Sequence, residues 1–65
     1  MNKEEICSTL KRLREEKRMT VRELSEKAGI TYQSLSKIEN GQYNTGIDNI
    51  CKIVDALGCR IVIIP

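Results

Sequence analysis

Apolar residues in this 65-residue chain recur at helical spacing in four short stretches and then crowd together near its C-terminal end. In the first stretch Ile6, Leu10 and Leu13, joined by Cys7, fall on one face of a helix over residues 3–18. Asn2 precedes it as an N-cap and Glu5 stands three residues on as the capping-box partner. Lys17 and Arg18 bring positive charge to the end where the helix dipole favours it. A second helix is predicted over 21–28. Thr20 and Glu23 supply its Thr-x-x-Glu start, and Val21, Leu24 and Ala28 its stripe. Gly29 follows as a left-handed C-terminal cap, with Ile30 placed to pack back. The third helix, over 32–40, opens at Thr31, carries the apolar pair Leu35 and Ile38, and ends at Asn40-Gly41. The fourth, over 46–57, has a Thr45/Asp48 capping-box pattern. Its face is Ile47, Ile50, Cys51, Val54 and Leu57, and Gly58 stops it. From Cys59 to Ile64 every residue except Cys59 and Arg60 is β-branched, which predicts a strand over 59–64.

Two or three residues separate the second and third helices, the tight Gly-containing spacing of a helix-turn-helix. The pattern therefore predicts an all-α domain over residues 1–65: four short helices around a central helix-turn-helix, plus a short C-terminal β-strand. A chain this long buries only about 60% of its unfolded surface, so one small core is the limit. No apolar run approaches the roughly 20 residues of a membrane span, and Met-Asn-Lys-Glu-Glu lacks the apolar stretch of a signal peptide. A cytoplasmic protein with no membrane partner is expected.

Composition removes most chemistries. There is no His, and so neither the commonest general base nor the commonest metal ligand. Cys7, Cys51 and Cys59 are odd in number and form no Cys-x-x-Cys pair; they read as small buried hydrophobes rather than as a zinc site or a disulfide framework. The glycines at 29, 41, 46 and 58 stand singly, so no phosphate-cradling loop appears. No cofactor, metal or catalytic residue is expected, and the chain does not read as an enzyme. Net charge is only +2. The excess lies in residues 1–18, with six basic against four acidic groups. Charge alone does not point to nucleic acid.

The third helix is more informative. At about 100° per residue, Leu35 and Ile38 point one way, and Tyr32, Gln33, Ser36, Lys37 and Asn40 occupy an opposite arc of about 140°. A solvated helix face looks similar. These residue types nevertheless suit duplex DNA. Gln bonds adenine bidentately, Lys reaches guanine O6 and N7, and Ser and Asn reach bases or phosphates.

The run Thr20-Val21-Arg22-Glu23-Leu24-Ser25-Glu26-Lys27-Ala28-Gly29-Ile30-Thr31, followed by Leu35-Ser36-Lys37-Ile38-Glu39-Asn40-Gly41, resembles the Xre-type, lambda-repressor-like helix-turn-helix family. Ile50-Cys51-Lys52-Ile53-Val54-Asp55-Ala56-Leu57-Gly58 is similar to that family's next helix, so the likeness covers about Leu10 to Gly58. Ser36-Lys37-Ile38-Glu39-Asn40-Gly41 is its most specific part. The resemblance implies that Gln33 and Lys37 face bases, flanked by Tyr32 and Ser36 as variable contacts. It implies DNA-backbone contacts at Thr20 and Asn40, to which Arg22, Thr31, Gln42, Tyr43 and Asn44 are added. For Tyr43 a ring packed over the core edge is an equal alternative. The family pattern pairs an Arg and a Glu at the positions of Arg14 and Glu39, joining the first helix to the third. One position departs: the family usually places Gln where this chain has Val21, and Arg22 is the residue to take over a phosphate role.

The tail Arg60-Ile61-Val62-Ile63-Ile64 is too apolar to lie free, and pairing with the same strand of a second chain satisfies both its side chains and its backbone. Some antitoxin-type relatives dimerise through a similar strand; folding back on the helices is the alternative. The reading is thus a sequence-specific regulator of transcription, a dimeric repressor on double-stranded DNA with an inverted-repeat site. The alternative is an antitoxin or other interaction module whose main partner is a toxin-like protein.

Overall fold

The computed structural model describes residues 2–42 and 45–65 and contains four helices: α1 (Lys3–Glu16), α2 (Val21–Ala28), α3 (Tyr32–Glu39) and α4 (Ile47–Ala56). Helix order and number follow the apolar pattern, with ends shifted by one or two residues. At the start of α1 the Glu5 N–H donates to Asn2 Oδ1 at 2.8 Å. At its end Lys17 is the C-cap and Arg18 turns left-handed, with φ of +56°. The Met19 N–H then reaches back to the Arg14 carbonyl at 3.1 Å, closing a reversal that usually carries glycine. A side chain in that conformation costs on the order of 1–2 kcal/mol. Glycine recovers most of this but adds freedom to the unfolded chain. Arg18→Gly is therefore expected to stabilise the fold by about 0.5–1 kcal/mol. Thermal denaturation should show a rise of roughly 2–8 °C.

Short caps hold the helix-turn-helix. At the head of α2 the Glu23 N–H donates to Thr20 Oγ1 at 3.0 Å and the Thr20 N–H donates to Glu23 Oε1 at 2.9 Å, a complete capping box. This backbone bond, and then the Thr20 hydroxyl, hold the Glu23 carboxyl below its ordinary pKa. Gly29 takes φ of +74° after α2, and the Ile30 N–H returns to the Ser25 carbonyl at 3.1 Å. Ile30 packs half-buried against the core. Thr31 caps α3 by accepting from the Ser34 N–H at 3.1 Å.

The core gathers Leu24 of α2, Leu35 and Ile38 of α3, and Ile53 and Leu57 of α4 with almost no exposure, while Cys7 and Leu10 of α1 close it on the far side. α2 packs on both α3 and α4, and α1 packs on α3. Among the described residues no helix is long and apolar enough to cross a membrane.

Four expectations need correction. The Thr45/Asp48 capping box does not form. Gly46 is the N-cap of α4, with no side-chain cap, and Thr45, one position further out, accepts from Asn49 Nδ2 at 3.1 Å. The buried face of α4 is Ile53, Val54, Ala56 and Leu57. Ile50 is half-buried, and Cys51 and Ile47 are exposed. Ile53 and Cys51 lie about 160° apart around the axis, so both cannot meet the core, and the larger side chain does. Of the cysteines, only Cys7 is fully buried. Finally, the strand over 59–64 is absent. The Cys59 N–H still closes α4 on the Val54 carbonyl at 3.0 Å, but beyond it Arg60–Pro65 is irregular and exposed. A strand is made by a neighbour that takes its backbone hydrogen bonds, and no such neighbour occurs among the described residues.

Candidate nucleic-acid interface

α3 is amphipathic in a way that fixes one side and frees the other. Leu35 and Ile38 are wholly buried, Gln33, Lys37 and Asn40 are exposed, Ser36 is half-buried, and Tyr32 is 43% exposed. These five polar residues therefore share the outward arc that helical spacing assigns them. The helix carries a single carboxylate, Glu39, and it is turned inward. No acidic side chain of α3 competes with phosphate on the outward face, and Lys37 supplies a cation there.

Glu39 is occupied by Arg14 from α1. Arg14 Nε donates to Glu39 Oε2 at 2.7 Å and Nη2 donates to Oε1 at 3.0 Å, a two-point fork between side chains that are 10% and 4% exposed. Arg14 Nη1 donates to the Met19 carbonyl at 2.7 Å, tying the α1–α2 turn to the same guanidinium. The hydrogen bond to Glu39 raises the Arg14 pKa, which burial opposes, so the guanidinium stays charged. The fork joins α1 to the C-terminal end of α3, and the hydrophobic pair holds the middle of that helix. α3 is thus fixed in orientation by two independent contacts.

The remaining sequence-selected residues surround this helix unevenly. Thr20, Arg22, Thr31 and Gln42 are exposed. The Thr20 N–H is committed to Glu23, and its hydroxyl accepts from the Glu23 N–H within the box. The Thr31 hydroxyl donates to Ser34 Oγ at 2.8 Å and has no proton left to offer. Asn40 is the C-cap of α3, and Gly41, at φ of +70°, lets the Gln42 N–H return to the Lys37 carbonyl at 2.9 Å. Tyr43 and Asn44 lie outside the described residues. Val21, where the family pattern has Gln, is half-buried against the core, so that position faces inward.

Two features were not legible in sequence. Ser25 is buried and donates to the Arg22 carbonyl at 2.8 Å, which lets a polar residue sit in the α2 interior. Arg22 lies over the Tyr32 ring, with its guanidinium carbon 5.1 Å from the centroid. The ten-residue separation gives no periodic signal; the turn at Gly29 brings the two together. Away from α2 and α3, α1, α4 and the tail enclose an open apolar groove of about 450 Å³, lined by Ile6, Leu10, Leu13, Ile47, Ile50 and Ile61 among others.

Comparison with known proteins is consistent with this geometry. The family model described as helix-turn-helix matches residues 10–64. An uncharacterized HTH-type transcriptional regulator, y4dL, of Sinorhizobium fredii (strain NBRC 101917 / NGR234) is 36% identical over 62 residues, covering 95% of this chain and 32% of that protein. The chain therefore spans about a third of that relative's length. No solved structure matches it significantly.

Proposed function

Because the chain belongs to the helix-turn-helix family of the Xre, lambda-repressor-like type, we propose that it is a DNA-binding transcriptional regulator that reads duplex sequence with α3. One observation carries this reading: the outward arc of α3 is polar, accessible and free of acid, while Leu35, Ile38 and the Arg14–Glu39 fork hold its other side. Gln33 and Lys37 read base edges in the major groove, with Tyr32 and Ser36 beside them. Thr20, Arg22, Asn40 and Gln42 hold the sugar–phosphate backbone, together with Tyr43, Asn44 and the backbone N–H of Thr31, whose hydroxyl is spent on Ser34. The related protein's description as a transcriptional regulator supports the same assignment.

The working form is a homodimer acting as a repressor. Ile61, Val62, Ile63 and Ile64 are between 52% and 90% exposed in the single chain, and Ile47 beside them is 67% exposed. Of these, Ile47, Ile61, Val62 and Ile63 line the apolar groove between α1 and α4. A second copy of the tail covers this surface and supplies the backbone partner that the segment lacks. The two-fold so made sets two α3 helices on successive major grooves about 34 Å apart, which requires an inverted repeat.

Fluorescence anisotropy with labelled duplexes tests the reading. Affinity for random-sequence duplex at low salt should fall steeply as salt rises. Gln33→Ala and Lys37→Ala should each lose about 1–3 kcal/mol of discrimination between the preferred and random sequence, with little change on random sequence. Equal loss on every sequence would remove both residues from the reading surface.

A further inference from the structure

Arg22 and Tyr32 are unlike the other exposed residues of this face, because each has a partner on the other helix. Arg22 sits in the first turn of α2 and Tyr32 opens α3. The guanidinium lies over the ring at 5.1 Å, within the range of a cation–π contact. Glu26, four residues along α2, is placed to pair with Arg22, yet among the described residues Arg22 makes no ion pair. Among the described residues the ring is the only side-chain partner of the Arg22 guanidinium.

The chemistry of the contact matters. A cation–π stack engages the flat face of the guanidinium, whereas its N–H donors radiate from the edge. A ring beneath Arg22 therefore limits the side chain's motion without using any donor. An ion pair with Glu26 does the reverse, since it occupies donors and cancels the charge. Among the described residues the Arg22 guanidinium makes no hydrogen bond or ion pair, so its donors are unspent, and their fork geometry matches two oxygens of a phosphodiester.

We infer that Tyr32 is a positioning residue for Arg22: its ring presents the guanidinium edge-on to a backbone phosphate at the flank of the site that α3 reads. This rests on the DNA-binding reading above and revises one part of it. Tyr32 acts through Arg22 and is not itself a reader of bases. It also accounts for how phosphate is gripped at the start of α2 although Val21 faces the core.

The test compares the 65-residue wild type with Arg22→Ala, Tyr32→Phe, Tyr32→Leu and the double variant Arg22→Ala/Tyr32→Leu. Binding to one random-sequence duplex is followed by anisotropy across a salt series, and thermal denaturation checks that each variant is folded. Arg22→Ala should weaken binding about tenfold and lower the logarithmic salt slope by about one per protomer. Tyr32→Phe should match wild type. Tyr32→Leu should lose affinity and slope in the same direction as Arg22→Ala, and the double variant should be no weaker than Arg22→Ala alone. A second readout needs no DNA: the Arg22 side-chain protons should resonate upfield under the ring current in wild type and Tyr32→Phe, and return to ordinary positions in Tyr32→Leu. Wild-type affinity and slope in Tyr32→Leu, or losses that add in the double variant, would overturn the inference while leaving the DNA-binding reading intact. Failure of wild type to bind duplex at low salt would overturn that reading and this one with it.

Discussion

Glu39→Ala is expected to lower the melting temperature by roughly 12–24 °C, the equivalent of about 3 kcal/mol. The carboxylate takes two short bonds from Arg14 at a site where both side chains are nearly out of solvent. Deleting it leaves a buried guanidinium with only the Met19 carbonyl to bond. An uncompensated buried charge is costlier than the loss of the pair as such, because the pair's attraction was already offset by desolvation. A chain of this length has roughly 3–10 kcal/mol of total stability, so the variant sits near the edge of folding. Replacing both partners with apolar residues of similar volume, as in Arg14→Met/Glu39→Leu, should recover most of the loss. In conditions where the variant is folded, its preference among DNA sequences should change little, because Glu39 lies on the inner side of α3. A melting temperature equal to wild type would mean that the fork does not hold the helix.

Ile63→Asp is expected to convert the protein to a monomer and to weaken binding to its preferred site by about 10²–10⁴-fold. Ile63 is 90% exposed in the protomer, so the substitution removes little contact within one chain. In the proposed dimer it places a charge in an apolar interface, where desolvation opposes association. With one protomer per site the second recognition helix is lost and the number of phosphate contacts halves, so the salt slope should halve as well. Sedimentation at tens of micromolar gives the mass, and anisotropy gives the affinity. A wild-type protein that is monomeric at that concentration would remove the interface; a variant that stays dimeric would move it elsewhere.

The first three helices were legible because each carries a side-chain cap and a single apolar stripe. Thr20 with Glu23, Gly29, and Thr31 mark three boundaries within twelve residues, and Leu35 and Ile38 leave a single buried face for α3. Legibility failed where tertiary contacts decide. The end of α1 carries no glycine, so the left-handed Arg18 gave no signal. α4 has apolar residues on more than one side, and spacing alone selected Ile47 and Cys51 where packing against α2 selects Ile53. The tail's β-branched run has strand propensity, but a strand is a property of a pair, and none forms among the described residues. Arg14 and Glu39, 25 residues apart, were reached only through resemblance to a family, since no local pattern links them. The Arg22–Tyr32 contact was reached by neither route.

The central claim is that the outward face of α3 reads sequence as one of two copies. Selecting bound duplexes from a random pool with the wild-type chain tests it most directly. The expected product is a single enriched inverted repeat with half-site centres about one helical turn apart. With Gln33→Ala, enrichment should relax at the same base in each half. A pool that stays random after repeated rounds, while the protein is folded and retained on duplex, would contradict the claim.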